Sequence, residues 1–287
     1  MYTNKIDLLR RHTREPFELT NNAAHSLAPA SLFSPASGRV KIGFVGVAAG
    51  VGVTTLCFAA AEYLAAILAG MRSDRRPAML ELDLRKEAPS GRPYDKIGID
   101  RRFAGRDFIS HYRLAAESRP LNGARNPDGG VYWALRAPCD PAPLPDATIL
   151  HRLLNNAAGD IVLCDIPAPG IMSAVEPYKS RDALMALLSD LDHMICVFDL
   201  LPSRLLASVP AAEVCRAAAA AGVPVTYVFN KLNDGVILRE AVRFTGIKDY
   251  IPFPAVPAET VYSAEYACRS LASDPDIKAS LARLFSE

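Results

Sequence analysis

The chain has 287 residues, with 32 Lys and Arg against 31 Asp and Glu, so its formal net charge is +1. That balance argues against a broad basic surface for nucleic acid and against a disordered acidic chain. Half of the residues (50%) are hydrophobic, and the length fits one large α/β domain or two small ones.

Residues 1–38 show no sustained periodicity beyond a short helical stretch at Lys5–His12, and they end in the linker-like run LAPASLFSPASG. They are expected to form a flexible tail or a docking arm ahead of a domain spanning 39–287. From there strand and helix signals alternate. Val40–Val47 reads as a buried strand, Thr54–Ala69 as a helix ended by Gly70, and Ala78–Asp83 as a second strand with acidic residues at its end. Residues 98–119 carry a mixed helical pattern, and Val131–Arg136 reads as a strand. The run CDPAPLPD that follows forbids regular structure. Asp146 is placed to cap a helix through about Asn156. Ile161–Cys164 and Met194–Phe198 are short buried strands, and Ser203–Ala221 is an alanine-rich helix with Gly222 just beyond it. Val223–Phe229 is a strand, Gly235–Phe244 a helix and Tyr250–Phe253 a last strand. Helices near 257–271 and 275–286 follow.

Strands that are continuous apolar runs, alternating with helices, imply an α/β fold. The expectation is a mostly parallel central sheet with helices on both faces. In such sheets ligands bind beyond the carboxyl ends of the strands. The 20 residues Ile42–Ala61 carry no charge, which is the length of a membrane span. Gly43, Gly46, Gly50 and Gly52 argue instead for a strand, a glycine loop and a helix start in a soluble, cytoplasmic protein. Cys57, Cys139, Cys164, Cys196, Cys215 and Cys268 show no metal-ligand spacing and are expected to be free thiols, most of them buried. The five His residues are scattered and likewise lack ligand spacing.

The glycine loop carries the chemistry. Ala48-Ala49-Gly50-Val51-Gly52-Val53-Thr54-Thr55 follows a strand and opens a helix. Free amides of a first helical turn and the helix dipole favour an anion there, and glycines admit a phosphate without Cβ clashes. Thr54 stands where a Ser or Thr hydroxyl ligates Mg²⁺ in a phosphate loop.

The segment GFVGVAAGVGVTTLCFAAAEYLA resembles the start of the MinD/ParA group of P-loop ATPases, whose loop reads KGGVGKTT. Ala48 falls on that group's first lysine and Val53 on its P-loop lysine, so the Walker A loop is deviant and lacks both cations. Glu81-Leu82-Asp83 resembles the switch I DxD, with Asp83 on the water-orienting aspartate. Asp165-Ile166-Pro167-Ala168-Pro169-Gly170 resembles the switch II DxPAG, with an added proline. Val228-Phe229-Asn230-Lys231 resembles the strand whose Asn reads the adenine. Tyr250-Ile251-Pro252-Phe253-Pro254 resembles the strand and loop covering the base. The resemblance spans roughly 39–275 and thins over 88–135.

The resemblance implies ATP or ADP with Mg²⁺ as ligands. Gly50, Val51, Gly52, Val53, Thr54 and Thr55 would cradle phosphates, Thr54, Asp83 and Asp165 would lie near the metal, and Asn230, Lys231 and Pro254 would lie near the base. The residues alone leave a second reading open: Asp83 and Asp165 solvating strand ends, and Asn230-Lys231 forming a turn with Asn233-Asp234-Gly235.

Phosphoryl transfer rests on electrostatic stabilisation, so losing both lysines is expected to abolish or cripple hydrolysis while harming binding less. The leading expectation is a nucleotide-binding spatial or assembly regulator, similar in kind to pilus-localisation proteins of the TadZ/CpaE type. It would work as a homodimer or with a protein partner, with no nucleic acid. One alternative is an active ATPase in which Arg85, Lys86 or a partner's arginine supplies the charge. Another is a protein that binds no nucleotide and acts through its surface alone. The apolar stripe Ile277, Leu281, Leu284 and Phe285 fits core packing or peripheral membrane attachment, the latter with only Lys278 and Arg283 for charge. Arg101, Arg102, Arg106, Arg113 and Arg119 could form a partner or nucleic-acid patch, but interleaved Asp100, Asp107 and Glu117 favour a solvated helical face.

Overall fold

The structure is a computed structural model that describes residues 38–82, 93–121, 125–138, 140, 147–166, 168 and 185–286. Its strands are β1 (Val40–Gly46), β2 (Pro77–Glu81), β3 (Pro127–Asp128), β4 (Val131–Ala134), β5 (Ile161–Ile166), β6 (His193–Asp199), β7 (Val225–Leu232) and β8 (Ile251–Pro254). They form one sheet in the order β3-β4-β2-β5-β1-β6-β7-β8. Every pairing is parallel except β3 with β4. The expected α/β class with a mostly parallel sheet is the observed one.

The helices are α1 (Val53–Gly70), α2 (Pro93–Ile97), α3 (Ile99–Arg102), α4 (His111–Ala116), α5 (Ala147–Asn156), α6 (Pro202–Ala220), α7 (Leu238–Thr245), α8 (Ala258–Tyr266) and α9 (Pro275–Ser286), with a 3₁₀ turn at Leu271–Ser273. They cover both faces. On one face Val45, Leu80, Cys196 and Phe198 pack with Leu153 and Leu154 of α5 and Ala211 and Cys215 of α6. On the other Ile42, Phe44, Met79 and Trp133 pack with Leu64 and Leu68 of α1 and Leu281 and Phe285 of α9. Phe44 and Val45 serve opposite faces because successive strand side chains alternate.

The uncharged run is thereby resolved into β1, a loop and the start of α1. Among the described residues α1 alone is long and apolar enough to cross a membrane. Its residues Cys57, Ala59, Ala60, Ala61 and Leu64 are fully enclosed in the core of this fold. The stripe on α9 is likewise buried, with Phe285 stacked on Tyr63 at 6.1 Å.

The helical pattern over 98–119 breaks into short pieces. Gly105, with φ of 77°, lies between the pieces Ile99–Arg102 and His111–Ala116. The Arg102 guanidinium pairs with Glu62 at 2.7 Å and Asp128 at 3.0 Å and donates to Ile97 O at 3.0 Å. It also lies 5.3 Å from the ring centres of both Phe58 and Trp133. Arg106 pairs with Asp128, while Arg113 and Arg119 pair with Glu117. Arg101, Arg106, Arg113 and Arg119 are exposed, as a solvated face requires, and Arg102 alone is drawn inward as a tether over α1. Cys57, Cys164, Cys196 and Cys215 are buried free thiols and Cys268 is partly exposed. Cys139 and Asp146 lie outside the described residues.

Candidate functional site

The site gathers at the carboxyl ends of β1, β5, β6 and β7. The loop leaving β1 turns at Gly50, with φ of 71°, and at Gly52, with φ of 91°; both lie in the left-handed region that glycine tolerates best. The first helical hydrogen bond of α1 runs from Leu56 N to Gly52 O at 3.0 Å. The amides of Val53, Thr54 and Thr55 precede that bond, so helix geometry leaves them to an outside acceptor.

Asp165, near the end of β5, is adjacent to Phe44 in the β1–β5 register and is only 4% exposed. Thr54 Oγ1 donates to its Oδ2 at 2.8 Å. A hydroxyl and a carboxylate held together beside a phosphate loop are hard oxygen donors of the kind Mg²⁺ takes. Among the described residues there is no cluster of three or more His, Cys, Asp or Glu able to hold a metal by itself. Glu81 lies opposite Asp165 in the β2–β5 register but is turned to a structural task. Its Oε2 accepts from Arg136 N at 3.0 Å, and its carbonyl accepts from the Tyr112 hydroxyl. Asp83, Arg85 and Lys86 lie outside the described residues.

The positions of the absent lysines are apolar in environment as well as in sequence. Ala48 is buried in the core cluster of the α1 face, and Val53, partly exposed, packs against that cluster. Val53 folds back over the end of β1, where a Cβ on Gly46 would meet its Cγ1 at 3.1 Å.

The far wall of the loop comes from β6, α6 and β7. Asn230 Nδ2 donates to Val51 O at 2.8 Å, and Asn230 Oδ1 accepts from Lys231 N at 2.9 Å. Asn230 is thus engaged with the loop backbone. Lys231 Nζ donates to Gly50 O at 2.5 Å and pairs with Asp199 Oδ2 at 3.3 Å. Arg204 Nη1 donates to Ala49 O. Pro254 ends β8 opposite Leu232, two residues beyond Asn230. On the other side of the α1 start lies a small cleft lined by Thr54, Thr55, Phe58, Lys96, Val261, Ala264 and Arg269.

Arg204 and Asp199 were not singled out by sequence. Arg204 is 155 positions from the carbonyl it holds, and no local pattern marks it.

No family model matches the chain, and no curated protein matches it. Solved structures do. The architecture is that of P-loop nucleotide triphosphatases, and within them that of the MinD/ParA ATPases. A ParA family ATPase from Chlorobium tepidum is 13% identical, with a TM-score of 0.63, covering 88% of this chain and all of that one (100%). MinD in the MinC:MinD cell division complex of Aquifex aeolicus is 14% identical, with a TM-score of 0.61, covering 85% and 94%. The septum site-determining protein MinD from Pyrococcus horikoshii, complexed with Mg-ADP, is 15% identical, with a TM-score of 0.60, covering 86% and 94%. At these identities the likeness establishes the fold.

Proposed function

We propose that the chain is a nucleotide-binding regulator built on the MinD/ParA fold, which holds ATP or ADP with Mg²⁺ and hydrolyses it slowly or not at all. The observation that carries this reading is the Thr54–Asp165 hydrogen bond at 2.8 Å beside a glycine loop whose lysine positions hold Ala48 and Val53. The metal-side pair is intact while both γ-phosphate cations are missing. Loop amides and a bound Mg²⁺ stabilise the ground state, but the charge that develops in the transition state loses its two aimed partners.

Thr54 and Asp165 would hold the metal directly or through its water shell. Val53 to Thr55 would offer amides to the phosphates. The cleft beside Phe58 and Val261, or the β7–β8 side with Asn230 and Pro254, would receive the nucleoside. In this reading the protein acts in the cytoplasm by binding state, as a spatial or assembly regulator. It works as a homodimer or against a protein partner, with 39–287 as the working domain and 1–38 as a tail or arm.

Calorimetric titration with ATP and ADP in the presence and absence of Mg²⁺, run beside a phosphate-release assay, tests the reading. Binding without turnover supports it. Turnover that is lost in Asp83→Ala overturns it in favour of an active ATPase. No binding of either nucleotide leaves a protein acting through its surface alone.

A further inference from the structure

Two cations lie against the phosphate loop: Arg204, which no sequence motif marks, and Lys231, which the sequence places beside the base rather than the phosphates. Arg204 Nη1 donates to Ala49 O, and a Cβ on Gly50 would meet Arg204 Nη2 at 3.0 Å. Lys231 Nζ donates to Gly50 O at 2.5 Å. We propose that Arg204 and Lys231 supply, from α6 and β7, the phosphate-binding charge that positions 48 and 53 have lost. This rests on the nucleotide reading of the same loop.

The backbone is bent to aim Lys231. The β7–β8 register shifts between Phe229 and Leu232, and inside that bulge Lys231 takes a φ of 60°, a region a lysine rarely adopts. Bulges beside functional sites redirect a side chain, and left-handed residues persist where the surroundings fix them. Here the redirection carries the ammonium group off the sheet edge and onto the loop. Arg204 is set by the start of α6, where Leu201 N donates to Asp199 Oδ1 at 3.1 Å and Arg204 N to Leu201 O at 2.8 Å.

Neutral carbonyls are modest partners for two full charges. A phosphate seated on the amides of Val53 to Thr55 lies beside the same loop and binds cations more strongly than a carbonyl does. On binding, the two side chains exchange Ala49 O and Gly50 O for phosphate oxygens. Asp199 is the one acidic partner in the described contacts of this pair; it faces Lys231 at 3.3 Å and partly neutralises it.

A plain alternative is that Lys231 serves only to neutralise Asp199, a carboxylate 4% exposed. The test separates the two. The full chain, Arg204→Ala, Lys231→Ala, Asp199→Asn and the double variant Lys231→Ala/Asp199→Asn are titrated with Mg-ATP and with adenosine, and each is melted alone. The expected result is a loss of Mg-ATP affinity of about tenfold for each lost cation, since charge-assisted hydrogen bonds are the strong ones and a tenfold change is ordinary for one. Adenosine binding stays level. Asp199→Asn tightens Mg-ATP binding, and the double variant stays weak. Arg204→Lys and Lys231→Arg recover most of the loss.

Unchanged Mg-ATP affinity in both alanine variants, tighter binding in either, or full recovery in the double variant overturns the proposal. A full chain that binds no Mg-ATP at all sinks the parent reading instead, and is recognised by its own blank titration. If an alanine variant melts early, its conservative partner, Arg204→Lys or Lys231→Arg, decides by whether affinity tracks charge.

Discussion

Thr54 Oγ1 donates a hydrogen bond of 2.8 Å to Asp165 Oδ2, tying the first turn of α1 to the end of β5 across the carboxyl edge of the sheet. Asp165 is almost wholly enclosed, so the hydroxyl is part of what makes a buried carboxylate tolerable. Thr54→Ala is expected to destabilise the fold by about 1.5–3 kcal/mol, the ordinary cost of removing one hydrogen bond to a charged group. It is also expected to remove the advantage that Mg²⁺ gives to nucleotide binding, while Thr54→Ser keeps both. Urea unfolding and titrations with and without Mg²⁺ measure the two effects. Equal Mg²⁺ dependence in Thr54→Ala and the full chain would remove Thr54 from the metal site.

Gly52 makes the second prediction. At φ of 91° a side chain is strained, and an added Cβ would sit 2.6 Å from Asn230 Nδ2. Gly52→Ala therefore costs roughly 1–2 kcal/mol of left-handed backbone strain. It also displaces Asn230 from Val51 O, worth about 1 kcal/mol more. The variant is expected to lose about 2–3 kcal/mol in urea unfolding by the same two contributions, and to bind nucleotide poorly because the loop has moved. A loss below about 0.5 kcal/mol, the level of an ordinary surface substitution, would mean that the loop relaxes freely.

Much of this was legible because it is local. Apolar runs at Ile161 and Met194 and the alternation of strand with helix gave the parallel sheet, and the glycines flanking Val51 marked the loop. The limits have physical causes. The two-residue strand Pro127–Asp128 is too short to carry a period, and it exists only because Val131 and Tyr132 lie antiparallel to it. β7 extends to Leu232, beyond the expected end at Phe229, because the bulge at Lys231 keeps pairing with Pro254. The mixed helical pattern over 98–119 is two short helices, and the inward turn of Arg102 between aromatic rings and two carboxylates was not legible because Glu62, Asp128, Phe58 and Trp133 are brought to it only by the fold. Arg204 was invisible because its partner carbonyl is made adjacent only by the whole sheet.

Asp190 gives a pH prediction remote from the site. Burial pushes its carboxyl up, but hydrogen bonds from Lys41 and Asn155, with the Lys41 charge, outweigh that and hold it below its ordinary value of 3.8. A carboxylate with a lowered folded pKa adds stability that is present above the unfolded value and disappears as the pH falls through the folded one. The window therefore lies below about pH 4 by the ordinary carboxylate value. The side chain is 27% exposed, so the effect is about 1 kcal/mol or less. Asp190→Asn is expected to lower the urea midpoint slightly at pH 7 and to match the full chain near pH 2.5. A difference that grows on acidification would contradict this pairing.

The buried thiols make a chemical prediction. Burial raises the Cys57 thiol well above its ordinary value, with the Asp165 charge adding to it, and burial likewise raises Cys164 and Cys196. Only the thiolate reacts with alkylating agents, and enclosure blocks the reagent as well. Brief iodoacetamide treatment of the native protein is expected to label Cys268 and to spare Cys57, Cys164 and Cys196 until denaturant is added. Mass spectrometry of the peptides reads the pattern. Rapid native labelling of Cys57 would show that α1 opens readily at its first turns, against the packing described above.

Val53→Lys tests the missing charge from the opposite direction. Val53 lies over Gly46, which offers no side chain of its own, so the aliphatic stem of a lysine has a surface to run along before its ammonium reaches the loop. The valine is partly exposed, and its replacement is expected to cost little stability. The new cation would stand on the same loop that Lys231 and Arg204 contact, adding attraction for ATP when ligand is present and repulsion among three cations when it is absent. Both effects favour the bound state relative to the free one. Val53→Lys is therefore expected to tighten Mg-ATP binding by about tenfold, the scale of one charge-assisted hydrogen bond, and to raise phosphate release above that of the full chain. In the Lys231→Ala background it should recover most of the lost affinity. If Val53→Lys folds with an unchanged melting temperature yet alters neither affinity nor turnover, the loop does not hold phosphate in the orientation that the start of α1 presents.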